Sequence, residues 1–281
     1  MTFSQAILSG DRLSLARLLT KVENNTPEGR ESLMELFPHT GRAHLIGVTG
    51  APGTGKSSLV NQLALHYRRK EDKRIAIIAV DPSSPFTGGA VLGDRVRMRD
   101  LSGDSGVFIR SMASRGSLGG LAQATAGITQ VFDAAGFDMV IVETVGAGQS
   151  EVDIARLAHT TIVVEAPGLG DDIQAIKAGI LEIADILVVN KADRPGVENT
   201  EKALKSMLDL AHPAERIFIH HGAAMKTDVP KQKNAPAMWI PPIQRTISTE
   251  GTGIPELAQA VARHAEHLRS SGEWVDRERT R

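Results

Sequence analysis

Leu15, Leu18, Leu19 and Val22 recur at the i, i+3, i+4, i+7 spacing of one helical face behind the start signals Gly10 and Asp11, which predicts a helix over residues 11–24. A second short helix is expected from Glu28 to Phe37, stopped by Pro38, and the two read as a helical appendage. The pattern then changes. Ile/Val-rich runs at Leu45–Val48, Ile75–Val80, Val107–Ile109, Met139–Val142, Thr161–Val164, Ile186–Val189 and Ile217–Ile219 are separated by stretches long enough for helices. They lack polar alternation, as strands covered on both faces do, so the expected fold is α/β, a mainly parallel sheet with helices on each face. Residues 223–245, with four prolines and three lysines, read as an irregular excursion. Helical spacing resumes over Ile254–Leu268, and the charged stretch Glu273–Arg281 is expected to fray. The chain thus divides into an appendage (1–40), an α/β domain (41–268) and a tail (269–281).

Composition narrows the chemistry. The chain has 281 residues, 41% hydrophobic, enough for one sizeable core. Its 32 Lys+Arg against 33 Asp+Glu leave a formal charge of -1, and only 4% of residues are aromatic, so neither counterion release nor base stacking favours a nucleic-acid partner. The apolar runs are strand-sized, and Met1–Gly10 has neither the basic start nor the apolar centre of a secretory signal. A cytoplasmic protein with no membrane partner is expected. With no cysteine, any chemistry must run on oxygen and nitrogen groups.

The segment Gly50-Ala51-Pro52-Gly53-Thr54-Gly55-Lys56-Ser57 fits G-x-x-x-x-G-K-S, following one expected strand and opening the helix Ser58–Arg68. Glycines let successive backbone N–H groups turn inward, and the helix N-terminus adds positive potential for phosphate. Lys56 is expected to reach the β- and γ-phosphates, and Ser57 to offer its hydroxyl to magnesium. Two more strands deliver Asp81 and Glu143-Thr-Val-Gly146 to the sheet edge where open α/β sheets bind ligands. Carboxylates there suit a magnesium shell or an attacking water, and Gly146 leaves room for an N–H at the γ-phosphate; the same groups also serve as helix caps and turns. Asn190-Lys191-Ala192-Asp193 closes another strand. In N-K-x-D the aspartate accepts from guanine N1 and N2, donors adenine lacks, and a buried carboxylate left unpaired by ATP is costly.

These segments, with Asp81–Asp94 and Phe108–Gly116, resemble the MeaB/ArgK/MMAA family, from about residue 10 to about residue 275. The family consists of SIMIBI-type P-loop GTPases that gate cobalamin loading onto adenosylcobalamin-dependent acyl-CoA mutases and protect or rescue them. The resemblance implies GTP/GDP and Mg2+ as ligands, such a mutase as partner, cobalamin adenosyltransferase as a further one, and a homodimer. It places Lys56, Asp94 and Glu143 in catalysis, and Ser57, Asp81, Asp94 and Glu143 about the metal. It also places Asp171, Gln174 and Lys177 in a switch that answers to the client. The usual S-A-x-x-G motif stands here as Ile247-Ser248-Thr249-Glu250-Gly251, so Ser248 and Thr249 join the nucleotide set without the leading serine. Many members continue into a long helical arm beyond the position of Arg281.

No glutamine follows Gly146 directly and Gln149 is the nearest, so slow intrinsic turnover raised by a partner is expected, with Arg110 and Arg115 as candidate cations. Three alternatives stay open, one of them a nucleotide-dependent scaffold with no meaningful turnover. A metal-inserting GTPase, of the nickel type, needs a ligand cluster, for which His220-His221 and the i, i+3 pair His264 and His267 are the candidates, solvated helix histidines being the plainer reading of that pair. A cargo-positioning ATPase would lack the guanine preference.

Overall fold

The computed structural model describes residues 3–82, 98–101, 103–114, 118–144, 155–168, 182–211, 218–220, 223–225 and 238–279. Asp94, Gly146, Gln149, Arg115, Asp171, Gln174, Lys177 and His221 lie outside them, and of Asp81 and His220 only the backbone is described.

Three helices lead the chain: α1 (Phe3–Leu8), α2 (Arg12–Glu23) and α3 (Pro27–Leu36). Asp11 caps α2 by accepting from the N–H groups of Leu13 and Ser14, and Thr26 caps α3 with Pro27 at its first position, as the expected starts require. The sheet is built from β1 (His44–Thr49), β2 (Ile75–Pro82), β3 (Val107–Ser114), β4 (Met139–Glu143), β5 (Thr160–Glu165), β6 (Ile186–Asn190) and β9 (Ile243–Thr246), in the order β3-β2-β4-β1-β5-β6-β9. Every pairing in it is parallel. Among the described residues the further helices are α4 (Lys56–Glu71), α5 (Leu118–Ala134), α6 (Val197–Ala211) and, after β9, α7 (Ile254–Ser271) and α8 (Glu273–Arg279). Alternate residues of each strand enter separate cores. Ile46, Ile77, Ile141 and Ile162 meet α4 and α7, whereas Leu45, Ile78 and Val140 meet α5 and the α2 leucines. Val163, Leu187 and Val189 pack under α6. The Asp133 carboxylate, near the end of α5, accepts from the N–H groups of Gly41, Arg42 and Ala43 and so fixes where β1 begins.

Three expectations are corrected. Ile243–Thr246 is a strand inside the supposed excursion; as an edge strand it needs no apolar run, and its half-exposed Ile-Gln-Arg-Thr pattern hides it. Phe218–His220 (β7) pairs antiparallel with Ala223–Met225 (β8) instead of joining the main sheet. Glu273–Arg279 does not fray but forms α8, in which Arg277 pairs with Asp185 and Glu278 with His159 beside the sheet. Among the described residues no helix is long and apolar enough to cross a membrane.

Candidate functional site

β1 is buried along its whole length and ends at Thr49, from which the chain turns into the 50–57 loop. Gly50 has φ +133°, and a Cβ there would sit 2.1 Å from the Val164 carbonyl oxygen, so only glycine lets this loop pass against β5. Gly55, at φ +94°, begins α4, and a Cβ on it would lie 2.5 Å from Asn190 Nδ2. The loop is therefore a backbone cradle with its side chains kept out of the way. Lys56 is buried, its ammonium donating to the Gly50 and Ala51 carbonyls at 2.8 and 3.0 Å. Thr54 is buried and donates to Ala51 O, Ser58 is half-buried, and Pro52 and Gly53 are exposed at the rim.

Ser57, one residue into the helix, donates to Glu143 Oε1 at 2.6 Å, and both side chains are buried. The parallel register sets Val48 beside Glu143, which brings the end of β4 level with the foot of the cradle. Asp81 lies two residues beyond Ala79, the neighbour of Glu143 in β2, so its backbone is on the same edge. A hydroxyl beside a carboxylate is an oxygen-only donor set of the kind magnesium prefers.

From the next strand pair comes the Asn190–Asp193 loop. The buried Asn190 amide donates to the Thr54 carbonyl at 2.8 Å, and its oxygen accepts from Thr246 Oγ1, Ser248 N and Ser248 Oγ. Lys191, in the left-handed region at φ +57°, extends its ammonium to Gly53 O at 2.5 Å. Phosphate-loop and base-loop candidates are thus hydrogen-bonded to each other, and Ser248 joins them. Asp193 and Thr249 are exposed, so Asp193 is not the buried carboxylate that the sequence suggested. It lies three residues past the last sheet position, Asn190, where the loop has left the packed layer. Thr49 and Thr246 also belong to this edge and no motif marked them, while Thr144 stood inside the Glu143–Gly146 segment without a role of its own; the one sequence signal for all three is a hydroxyl residue at the end of a buried run.

The candidate cation Arg110 is committed elsewhere, paired with Glu23 and donating to Thr20 on α2. The histidine pair on α7 is likewise no solvated face. His264 is 1% exposed and sits in a chain of hydrogen bonds at the opposite, N-terminal edge of the sheet: His44 Nε2 to Thr160 Oγ1 (2.7 Å), Thr160 Oγ1 to His264 Nδ1 (2.9 Å), His264 Nε2 to Asp185 (3.2 Å). One direction of donation, with each imidazole carrying its proton on Nε2, satisfies the whole chain. Arg277 of α8 forks onto Asp185, Glu278 meets His159 Nε2, and Trp274 stacks on His159 with centroids 3.9 Å apart. Burial alone pushes the Asp185 carboxyl up, but the bonds from His264 and Arg277 outweigh it and hold it below the usual range. Burial, with His159 and His264 adding to it, pushes His44 well below the ordinary histidine value. Among the described residues no three His, Asp or Glu side chains gather as a metal site.

Against known proteins, a family model described as "Methylmalonyl Co-A mutase-associated GTPase MeaB" matches residues 15–281. A putative GTPase of Pyrococcus horikoshii is 47% identical over 277 residues, which cover 99% of this chain and 81% of that protein. GTPase ArgK of Escherichia coli is 36% identical over 267 residues, 94% of this chain and 75% of ArgK. A crystal structure of an LAO/AO transport system kinase matches with a TM-score of 0.74 at 29% identity, over 99% of this chain and 79% of the other.

Proposed function

Because this chain belongs to the MeaB family of P-loop GTPases, we propose that it binds GTP with magnesium, hydrolyses it slowly, and uses the change to gate adenosylcobalamin loading onto an acyl-CoA mutase. The observation that carries this reading is the hydrogen-bonded union of the two loops, Asn190 to Thr54 and Lys191 to Gly53, which suits opposite ends of one guanine nucleotide.

In this reading the 50–57 amides and the α4 N-terminus cradle the phosphates, and Lys56 exchanges its loop carbonyls for the β- and γ-phosphate oxygens. Ser57, Glu143, Asp81 and Asp94 are the candidates to hold magnesium, which when bound neutralises charge developing on the phosphates. Glu143 or Asp94 orients the attacking water, and Gly146 meets the γ-phosphate through its N–H. Lys191 lies along the base, Asp193 accepts its two N–H donors, and Ser248 and Thr249 line its far side. Since Asp193 starts out exposed, its preference for guanine arises from donor matching as the base covers it. Asp171, Gln174 and Lys177 answer to the mutase. The proposal includes a cytoplasmic location, a homodimer, and cobalamin adenosyltransferase as the upstream partner.

Two measurements test it. GDP is expected to bind at least about tenfold tighter than ADP, the margin collapsing in Asp193→Ala; equal affinity in the parent chain removes the guanine assignment. GTP turnover is expected to rise on adding a cobalamin-dependent acyl-CoA mutase. No stimulation and no complex would remove the chaperone role while leaving the GTPase.

A further inference from the structure

Beyond the motif residues, the C-terminal edge holds a contact that no motif explains. Thr144 Oγ1 donates to Thr49 Oγ1 at 2.9 Å, and the two side chains are 1% and 0% exposed. Thr49 is the last residue of β1 before the cradle, and Thr144 directly follows Glu143. The main-chain ladder between these strands ends in the same place, with Thr144 N donating to Val48 O at 3.0 Å. Past that rung the chain leaves β1 at Gly50 for the phosphate loop, where the Val164 carbonyl leaves no room for a Cβ. The hydroxyl bridge is therefore one extra rung, made by side chains where the backbone can supply none.

Its position decides what it does. Val48 packs toward α4, so by strand alternation Thr49 faces the α5 side. Glu143 reaches the other way, to Ser57 on α4. The end of β4 is thus tied on both faces, Glu143 to Ser57 on one and Thr144 to Thr49 on the other. A strand end tied on one face only can roll about its axis and carry its carboxylate with it. Tied on both, it cannot.

Resting on the GTPase reading above, we propose that Thr49 and Thr144 are a positioning pair for GTP hydrolysis, their bridge keeping the Glu143 carboxylate aligned with Ser57 Oγ. Neither residue touches the nucleotide in this role; both act through Glu143. Misplacement by a fraction of an ångström weakens phosphoryl transfer more than it weakens nucleotide binding, because transfer depends on alignment and binding draws on many amides.

The experiment measures steady-state GTP hydrolysis, GDP affinity and magnesium dependence for Thr49→Val, Thr144→Val, the double variant and Thr144→Ser. Valine keeps the shape and removes the bond. Each single valine is expected to lower kcat about tenfold, leave GDP affinity within about twofold, and raise the magnesium concentration needed for half-maximal rate. The double variant is expected to be no worse than the poorer single one, since both lose the same bond. Thr144→Ser is expected to retain the parent rate. Should Thr144→Val not fold, Thr49→Val carries the same test from the other partner. Parent-like kcat in the valine variants, additive losses in the double, a serine variant as slow as the valine, or a loss of GDP affinity equal to the loss of kcat overturns the pairing alone. A parent chain without GTPase activity overturns the functional reading and this pairing with it.

Discussion

At the C-terminal ends of β1, β4 and β6 the chain presents main-chain groups and glycines, whereas at the N-terminal ends of β1, β5 and β6 it buries three histidines and an aspartate among one another. Lys56 at the first edge bonds loop carbonyls that border an exposed rim. At the second edge His44, Thr160, His264 and Asp185 bond one another, closed over by Arg277, Glu278 and Trp274. The first edge leaves its polar groups with partners they can exchange. The second commits them to fixed neighbours, which contributes stability and offers a ligand nothing. One parallel sheet thus separates turnover from anchorage along the length of its strands.

The sharpest way to break that division is Lys56→Ala. We expect kcat to fall about 10³-fold, or ~4 kcal/mol of transition-state stabilisation, with the melting temperature nearly unchanged. A drop in melting temperature matching the drop in rate would show that the edges share one energetic role. Next is Arg277→Ala at the opposite edge. It strips the guanidinium from the buried Asp185 carboxylate and should cost about 3 kcal/mol of stability by denaturant titration, with GDP affinity unaltered. Loss of GDP binding in the folded variant would contradict the separation.

Acid gives the smallest effect. His44 stays neutral in the folded chain, whereas the unfolded chain takes up a proton there below the ordinary value of 6.5, so the unfolded state binds more protons and stability falls as pH drops through that value. The limiting slope is ~1.36 kcal/mol per pH unit for one proton. Asp185, held below 3.8, adds a second loss only below that value. Urea titrations from pH 7.5 to 5.5 should show the first decline, and His44→Gln, which keeps a donor toward Thr160 but cannot protonate, should flatten it. An unchanged slope in that variant would remove His44 as its source.

How far the sequence reached follows from the range of the interactions. The strands beginning at Leu45, Ile75 and Ile186 were legible because burial on both faces demands unbroken apolar runs, and the phosphate loop because its glycines are required by close backbone approach. β9 was not, since an edge strand with one neighbour tolerates Gln244 and Arg245. Nor was α8: read locally, Glu273–Arg279 is only charged, and its order comes from Asp185 and His159, more than 90 residues earlier. Asn190 was identified from four adjacent letters, but its tie to Ser248, 58 residues on, is visible only once β6 and β9 pair. The Thr49–Thr144 bridge left no trace, because two threonines 95 positions apart form no pattern.

Both tryptophans of the chain sit at the histidine edge, Trp274 stacked on His159 and Trp239 donating its indole N–H to the Asp185 carbonyl. The molecule therefore carries its own optical probes at the end of the strands away from the phosphate cradle. Its ultraviolet emission is a gauge of whether the C-terminal clasp is shut, and it leaves the occupancy of the other end to be read by a labelled ligand.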